Sequence, residues 1–175
     1  INTDKSGHLI IGDGCKTEQI RKDIVKNPLK FKGNILKENL KEKWLGDLFH
    51  QDGLAKSVNA TIKARTGQTK ILIFEINSIL EDSRMQAIGG IRGTLDMWEV
   101  SIIPSLLNNC DTWIDIEDDD INHLENLQYL FLRTMLQVPT SCPKAPLLWE
   151  TGLKLMKYRI IEKKLMLAKY LQQCD

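Results

Sequence analysis

The chain has 175 residues, 42% hydrophobic and 27% charged, with a net charge of +1. That is ordinary for a soluble globular protein and enough for one domain, or one domain with a small appendage. No apolar run approaches the ~18 residues a membrane span needs, and no signal peptide opens the chain, so neither a membrane nor a secretory role is expected.

Ile1 begins a strand-like stretch with no evident start, as expected for a piece of a longer polypeptide. "GHLIIGDG" is an apolar run between glycines, a strand signal. "KTEQIRKDIVKN" then places Ile20, Ile24 and Val25 at helical spacing before Asn27-Pro28 stops it. "GNILKENLKEKWLGDLF" reads as a β-hairpin, with Gly33-Asn34 and Glu38-Asn39 as turns and Trp44-Leu45 as the strand core. From Leu54 the period changes to 3.6. Val58, Ile62, Ile73, Ile76 and Leu80 share a face that Gly67 interrupts. Leu95, Trp98, Ile102 and Leu106 mark a second helix, which Pro104 should kink or end. Leu124, Leu127, Phe131 and Met135 mark a third. "PTSCPKAPLLWETG" carries three prolines and reads as a rigid connector, and "LKLMKYRIIEKKLMLAKYLQQ" as a final helix with one apolar and one basic face. The expected fold is α+β and mostly α, with a short N-terminal β-hairpin element (1–53) before a bundle of about four long helices (54–175).

Charge is segregated along this order. Residues 1–70 hold 14 Lys/Arg against 8 Asp/Glu, residues 71–127 hold 2 against 12, and residues 128–175 hold 8 against 3. A polyanion partner for the basic blocks and plain solvated faces both fit that pattern. Cys15, Cys110, Cys142 and Cys174 are too widely spaced for a zinc site, and His8, His50 and His123 are equally scattered, so reduced thiols are the simpler reading. "WIDIEDDDINHLENLQYLFLR" crowds Asp115, Glu117, Asp118, Asp119 and Asp120 together. A calcium loop needs alternating oxygens and a central Gly, whereas here Ile114, Ile116 and Ile121 interleave and a helical stripe follows. Helix capping and dipole compensation account for the acids better than a metal does. "IGGIRG" lacks both the Lys-Ser/Thr of a phosphate loop and a preceding strand, so Gly89, Gly90 and Gly93 are expected to admit a close helix or break one. No Ser/His/Asp or Cys/His set stands out, and Cys142 has no base assigned to it. Lys30, Lys32, Lys37, Lys41 and Lys43 surround Trp44, with Lys56, Lys63 and Arg65 on the next helix. Flexible cations beside an aromatic suit a nucleic-acid backbone, and a core Trp among solvated lysines suits the same pattern.

The order of words "DKSGHLIIG", "KEKWLGDLF", "EINSILEDSRMQAIGGIRGTLDMWEVSIIPSLLNNCDTW" and "LENLQYLFLRTMLQVPTSCPKAPLLWETGLKLMKYRIIEKKLML" resembles the C-terminal part of a non-LTR (LINE-type) retrotransposon reverse transcriptase, over nearly the whole chain. The resemblance implies the end of the palm in 1–53, with "KWLGD" as the hairpin that grips the primer, and a thumb with the region after it in 54–175. It makes Trp44, Leu45 and Gly46 grip residues and Lys5 a palm lysine near the incoming nucleotide. Together with Lys37, Lys41, Lys43, Lys56, Lys63 and Arg65, these form the expected nucleic-acid-binding set. The implied partners are an RNA/DNA template–primer and the rest of the polyprotein, inside the cell in cytoplasm or nucleus. The family's aromatic-x-Asp-Asp loop is expected upstream of residue 1, so Mg2+ belongs to the missing palm and this piece carries no cofactor, no metal ligand and no catalytic residue of its own. A remnant serving as a helical protein-interaction module is the alternative. A nuclease built on Asp115–Asp120 is a third reading.

Overall fold

The computed structural model describes residues 7–11, 15–31, 33–80 and 90–173. It is α+β and mostly α, with short strands in the N-terminal part and six helical stretches among the described residues. Two compact units, Ile1–Thr61 and Ile62–Asp175, divide within one long helix.

Among its described residues, the first unit holds three two-stranded sheets. Strand β1 (Gly7–His8) pairs in parallel with β4 (Lys37–Glu38), and helix α1 (Cys15–Lys26) lies between them in sequence. Among the described residues 7–11 of that run, Gly7 and His8 join a ladder and Leu9, Ile10 and Ile11 do not, so the strand is shorter than the apolar run suggests. Helix α1 ends where Asn27-Pro28 denies it a further turn, and Asn27 N–H closes it on Asp23 O at 2.8 Å. Arg21 on α1 donates to the Glu38 carboxylate at 3.2 Å and to Gln51 Oε1 at 3.4 Å. Strands β2 (Lys30–Phe31) and β3 (Asn34–Ile35) turn at Gly33, whose φ of +84 a side-chain-bearing residue rarely adopts. Strands β5 (Lys41–Trp44) and β6 (Asp47–His50) form the longest ladder, in the register Lys41↔His50 through Trp44↔Asp47. The sequence expectation is corrected here. Trp44 ends a strand, and Leu45 belongs to the turn instead of the strand core.

Helix α2 (Leu54–Leu80) runs through Gly67 without a break. Thr66 and Thr69 on either side are buried, and Ile73 and Ile76 continue the Val58–Ile62 stripe, so packing outweighs the ~1 kcal/mol that a helical Gly costs. Helix α3 (Gly90–Met97) passes into a π-helical turn (Trp98–Ile102) and a last α-turn (Ile103–Leu106). Pro104 explains the irregularity. It has no N–H and its ring crowds the preceding turn, and widening lets Ile103 N–H reach Trp98 O five residues back. A Cβ at Gly90 or Gly93 would meet nothing within 4 Å, so neither admits a close neighbour. Gly90 instead opens the helix with φ +52, and Gly89 lies outside the described residues.

Helix α4 (Asp118–Leu136) buries the predicted stripe, Leu124, Leu127, Phe131 and Met135, together with Leu132. Phe131 stacks on Trp98 with ring centroids 4.0 Å apart and planes 10° off parallel, forming the centre of the second unit. The proline-rich connector is also corrected: it contains helix α5 (Lys144–Thr151). Pro143 precedes its first turn and Pro146 sits within it, where a missing N–H breaks no helical bond. Gly152 then ends it with φ +66 and donates its N–H to Leu148 O at 2.8 Å. Helix α6 (Met156–Gln172) packs against α4 and against the short 3-10 turn Cys110–Thr112.

Candidate nucleic-acid interface

The β5–β6 hairpin is built from the turn outward. Two residues join the strands, and both have positive φ, 49 at Leu45 and 92 at Gly46. That is the signature of a type I′ turn, whose twist matches the flanking strands. Glycine fits this backbone freely, while a leucine costs about 1–2 kcal/mol there. Leu45 is nonetheless 71% exposed. Lys41 and Lys43 are both exposed on β5 and, two residues apart, project from the same face of the ladder. The side chain of Trp44 lies outside the described part of the structure, as does Lys5.

The remaining predicted cations differ in setting. Lys37 is exposed on β4, in a different sheet from the hairpin. Lys56, at the start of α2, donates to Asp52 Oδ2 at 2.6 Å, and this bond holds the Asp52 carboxyl below its ordinary range. An exposed pair of this kind contributes little stability. Lys63 is exposed on α2 in the second unit. Arg65 stands apart, because it is 9% exposed and its Nη1 donates to Leu106 O at 3.3 Å and Asn108 O at 2.5 Å. Its guanidinium also lies 5.6 Å from the Trp113 ring centroid. Arg65 therefore anchors the end of the 90–106 helical run, and its hydrogen-bonding nitrogen faces inward.

Two neighbours of that loop were hidden in the basic face of the final helix. Lys163 Nζ donates to Leu107 O at 3.1 Å and Lys164 Nζ to Trp113 O at 2.5 Å. Leu107 O also accepts the Cys110 N–H at 3.3 Å, so Lys163 adds a second donor to a carbonyl at a helix end, where cations are favoured. Arg159 forks onto the Glu99 carboxylate and also donates Nε to Lys154 O at 3.3 Å. Glu125 on α4 accepts the Lys157 N–H at 3.0 Å, capping α6 from another helix. Burial pushes the Glu125 carboxyl above its ordinary value, opposed by the Lys157 and Met156 N–H groups. None of these pairings has a local sequence signal, since each joins residues at least 32 positions apart except the Lys154–Arg159 contact.

The acidic run takes the helix-start role, with one revision. Glu117 occupies the N-cap and makes no side-chain capping bond, while Asp118, Asp119 and Asp120 fill the first turn of α4. They act through the helix dipole. Among the described residues, no three His, Cys, Asp or Glu side chains come together to hold a metal ion. Cys110, buried, and Cys142, partly exposed, are both free thiols. Among the described residues, no helix is long and apolar enough to cross a membrane. Comparison of the chain with protein-family models, curated proteins and solved structures gives no match.

Proposed function

We propose that this chain binds and positions an RNA–DNA template–primer duplex as the C-terminal part of a reverse transcriptase, with phosphoryl transfer carried out elsewhere in the parent polypeptide. The observation that supports this most is the β5–β6 hairpin. It presents Lys41 and Lys43 from one face and Leu45 from a turn whose backbone conformation a leucine adopts only at a cost. Cations there meet phosphates without reading sequence, and a narrow turn approaches the sugar–phosphate backbone closely. Lys37 and Lys56 belong to the same unit and add positive charge to it.

Binding of this kind releases counterions, so affinity for an RNA–DNA duplex should fall steeply as salt rises, by a slope of about 0.7–0.9 per phosphate neutralised. Lys41→Glu with Lys43→Glu is expected to weaken binding at least about tenfold and to flatten the slope by about two. Unchanged affinity in that variant removes the hairpin from the interface. A second reading, a helical protein-interaction module, draws on Tyr158, Ile161 and Leu165, exposed along α6. It predicts that Leu165→Lys abolishes capture of a protein partner and leaves duplex affinity alone.

A further inference from the structure

We infer that Ser57 and Thr61 are positioning residues that latch the β5–β6 hairpin, edge-on, to the first turns of α2. This rests on the nucleic-acid reading for its consequence, though not for its geometry. In an antiparallel ladder, bonded and non-bonded pairs alternate. With Trp44↔Asp47 closing the two-residue turn, Leu48 and His50 point their N–H groups away from β5. Those two groups would otherwise face a helix, whose own backbone groups are already bonded within it. Instead, Thr61 Oγ1 accepts the Leu48 N–H at 2.8 Å and Ser57 Oγ accepts the His50 N–H at 2.8 Å.

The spacing makes this a matched pair. Four residues of α-helix rise about 6.0 Å, and two residues of antiparallel strand about 6.8 Å. Ser57 and Thr61 therefore meet alternate residues of β6, with strand and helix running in opposite directions. Each hydroxyl also has somewhere to donate: Ser57 Oγ to Gly53 O at 2.7 Å, and Thr61 Oγ1 to Leu48 O at 3.4 Å. Ser57 and Thr61 are buried, at 6% and 1% exposure, so their hydroxyls are largely withdrawn from water. The latch lies wholly within the first unit and fixes the ladder that carries Lys41 and Lys43 to the helix that carries Lys56. Cations held in one frame engage a duplex together, without ordering the hairpin anew at each encounter.

The test uses Thr61→Val, which keeps the shape and removes the hydroxyl, alone and combined with Ser57→Ala, and Thr61→Ser as the rescue. Amide exchange at Leu48 and His50 should accelerate about tenfold per hydroxyl removed, the effect of one buried hydrogen bond. Amides of α4 should keep their wild-type rates. Affinity for an RNA–DNA duplex should fall about tenfold in the double variant, by the same hydrogen-bond reckoning, and return in Thr61→Ser. Wild-type exchange rates in the double variant, or loosened amides with unchanged affinity, would overturn the latch as a positioning device. If the wild-type chain itself binds no duplex, the nucleic-acid reading and the positioning role fall together. Wild-type binding with an indifferent double variant rejects the positioning role alone.

Discussion

The β5–β6 hairpin exposes Lys41, Lys43 and Leu45, whereas α4 buries Leu124, Leu127, Phe131 and Met135 against its neighbours. One region keeps its cations in solvent and an apolar side chain on a costly turn. In the second unit, to which α4 belongs, Lys163, Lys164 and Arg65 are turned onto backbone carbonyls. The contrast separates residues that hold the protein together from residues left available to a partner, and Lys and Arg serve in both roles.

The comparison breaks most sharply at Phe131. Phe131→Ala removes one ring of the Trp98 stack and should destabilise the second unit by about 3–5 kcal/mol, measured by denaturant unfolding. Arg65→Met comes next. It leaves the buried Leu106 carbonyl and the more exposed Asn108 carbonyl without their Arg65 donor and should cost about 1–3 kcal/mol. Duplex affinity should not change in that variant under conditions where it stays folded, since Arg65 is buried and its Nη1 is bonded to Leu106 and Asn108. A loss of affinity there would return Arg65 to the interface. Leu45→Gly should act in the opposite sense, raising stability by about 1 kcal/mol by relieving the turn, while duplex affinity declines. A more stable variant that binds as tightly as the wild type would mean the exposed leucine has no contact to lose.

The smallest effect belongs to Glu125. Its folded pKa lies above the ordinary value of 4.5, so the native state holds that proton more tightly than the unfolded chain does. Its contribution is therefore fully present below 4.5 and is lost as pH rises from there through the raised folded value. Glu125→Gln keeps an acceptor for the Lys157 N–H and removes the half-buried charge. Thermal unfolding should show a slightly raised Tm at pH 7 and a flatter pH profile above 4.5.

Much of the helical architecture is legible in the sequence, because periodic burial is a local signal. The Leu124–Met135 stripe follows from spacing alone. Helix α5 does not, because three prolines in fourteen residues suggest a rigid connector unless two of them are placed at a helix start, where Pro is tolerated. The turn at Leu45 is hidden for a related reason: Asn, Asp or Gly ordinarily announces a type I′ turn, and leucine reads as strand. Arg65 looks like any surface cation, since the carbonyls that occupy it lie 41 and 43 residues away. The exposed Lys41 and Lys43 could be nominated from sequence, while the hydroxyls of Ser57 and Thr61 gain meaning only once β6 lies beside α2.

The most direct test of the central claim is to map amide chemical-shift changes along the chain as an RNA–DNA duplex is added at low salt. The account predicts that they concentrate between Lys41 and His50 and fade as salt rises. Changes confined to the exposed face of α6, or none anywhere along the chain, would contradict it.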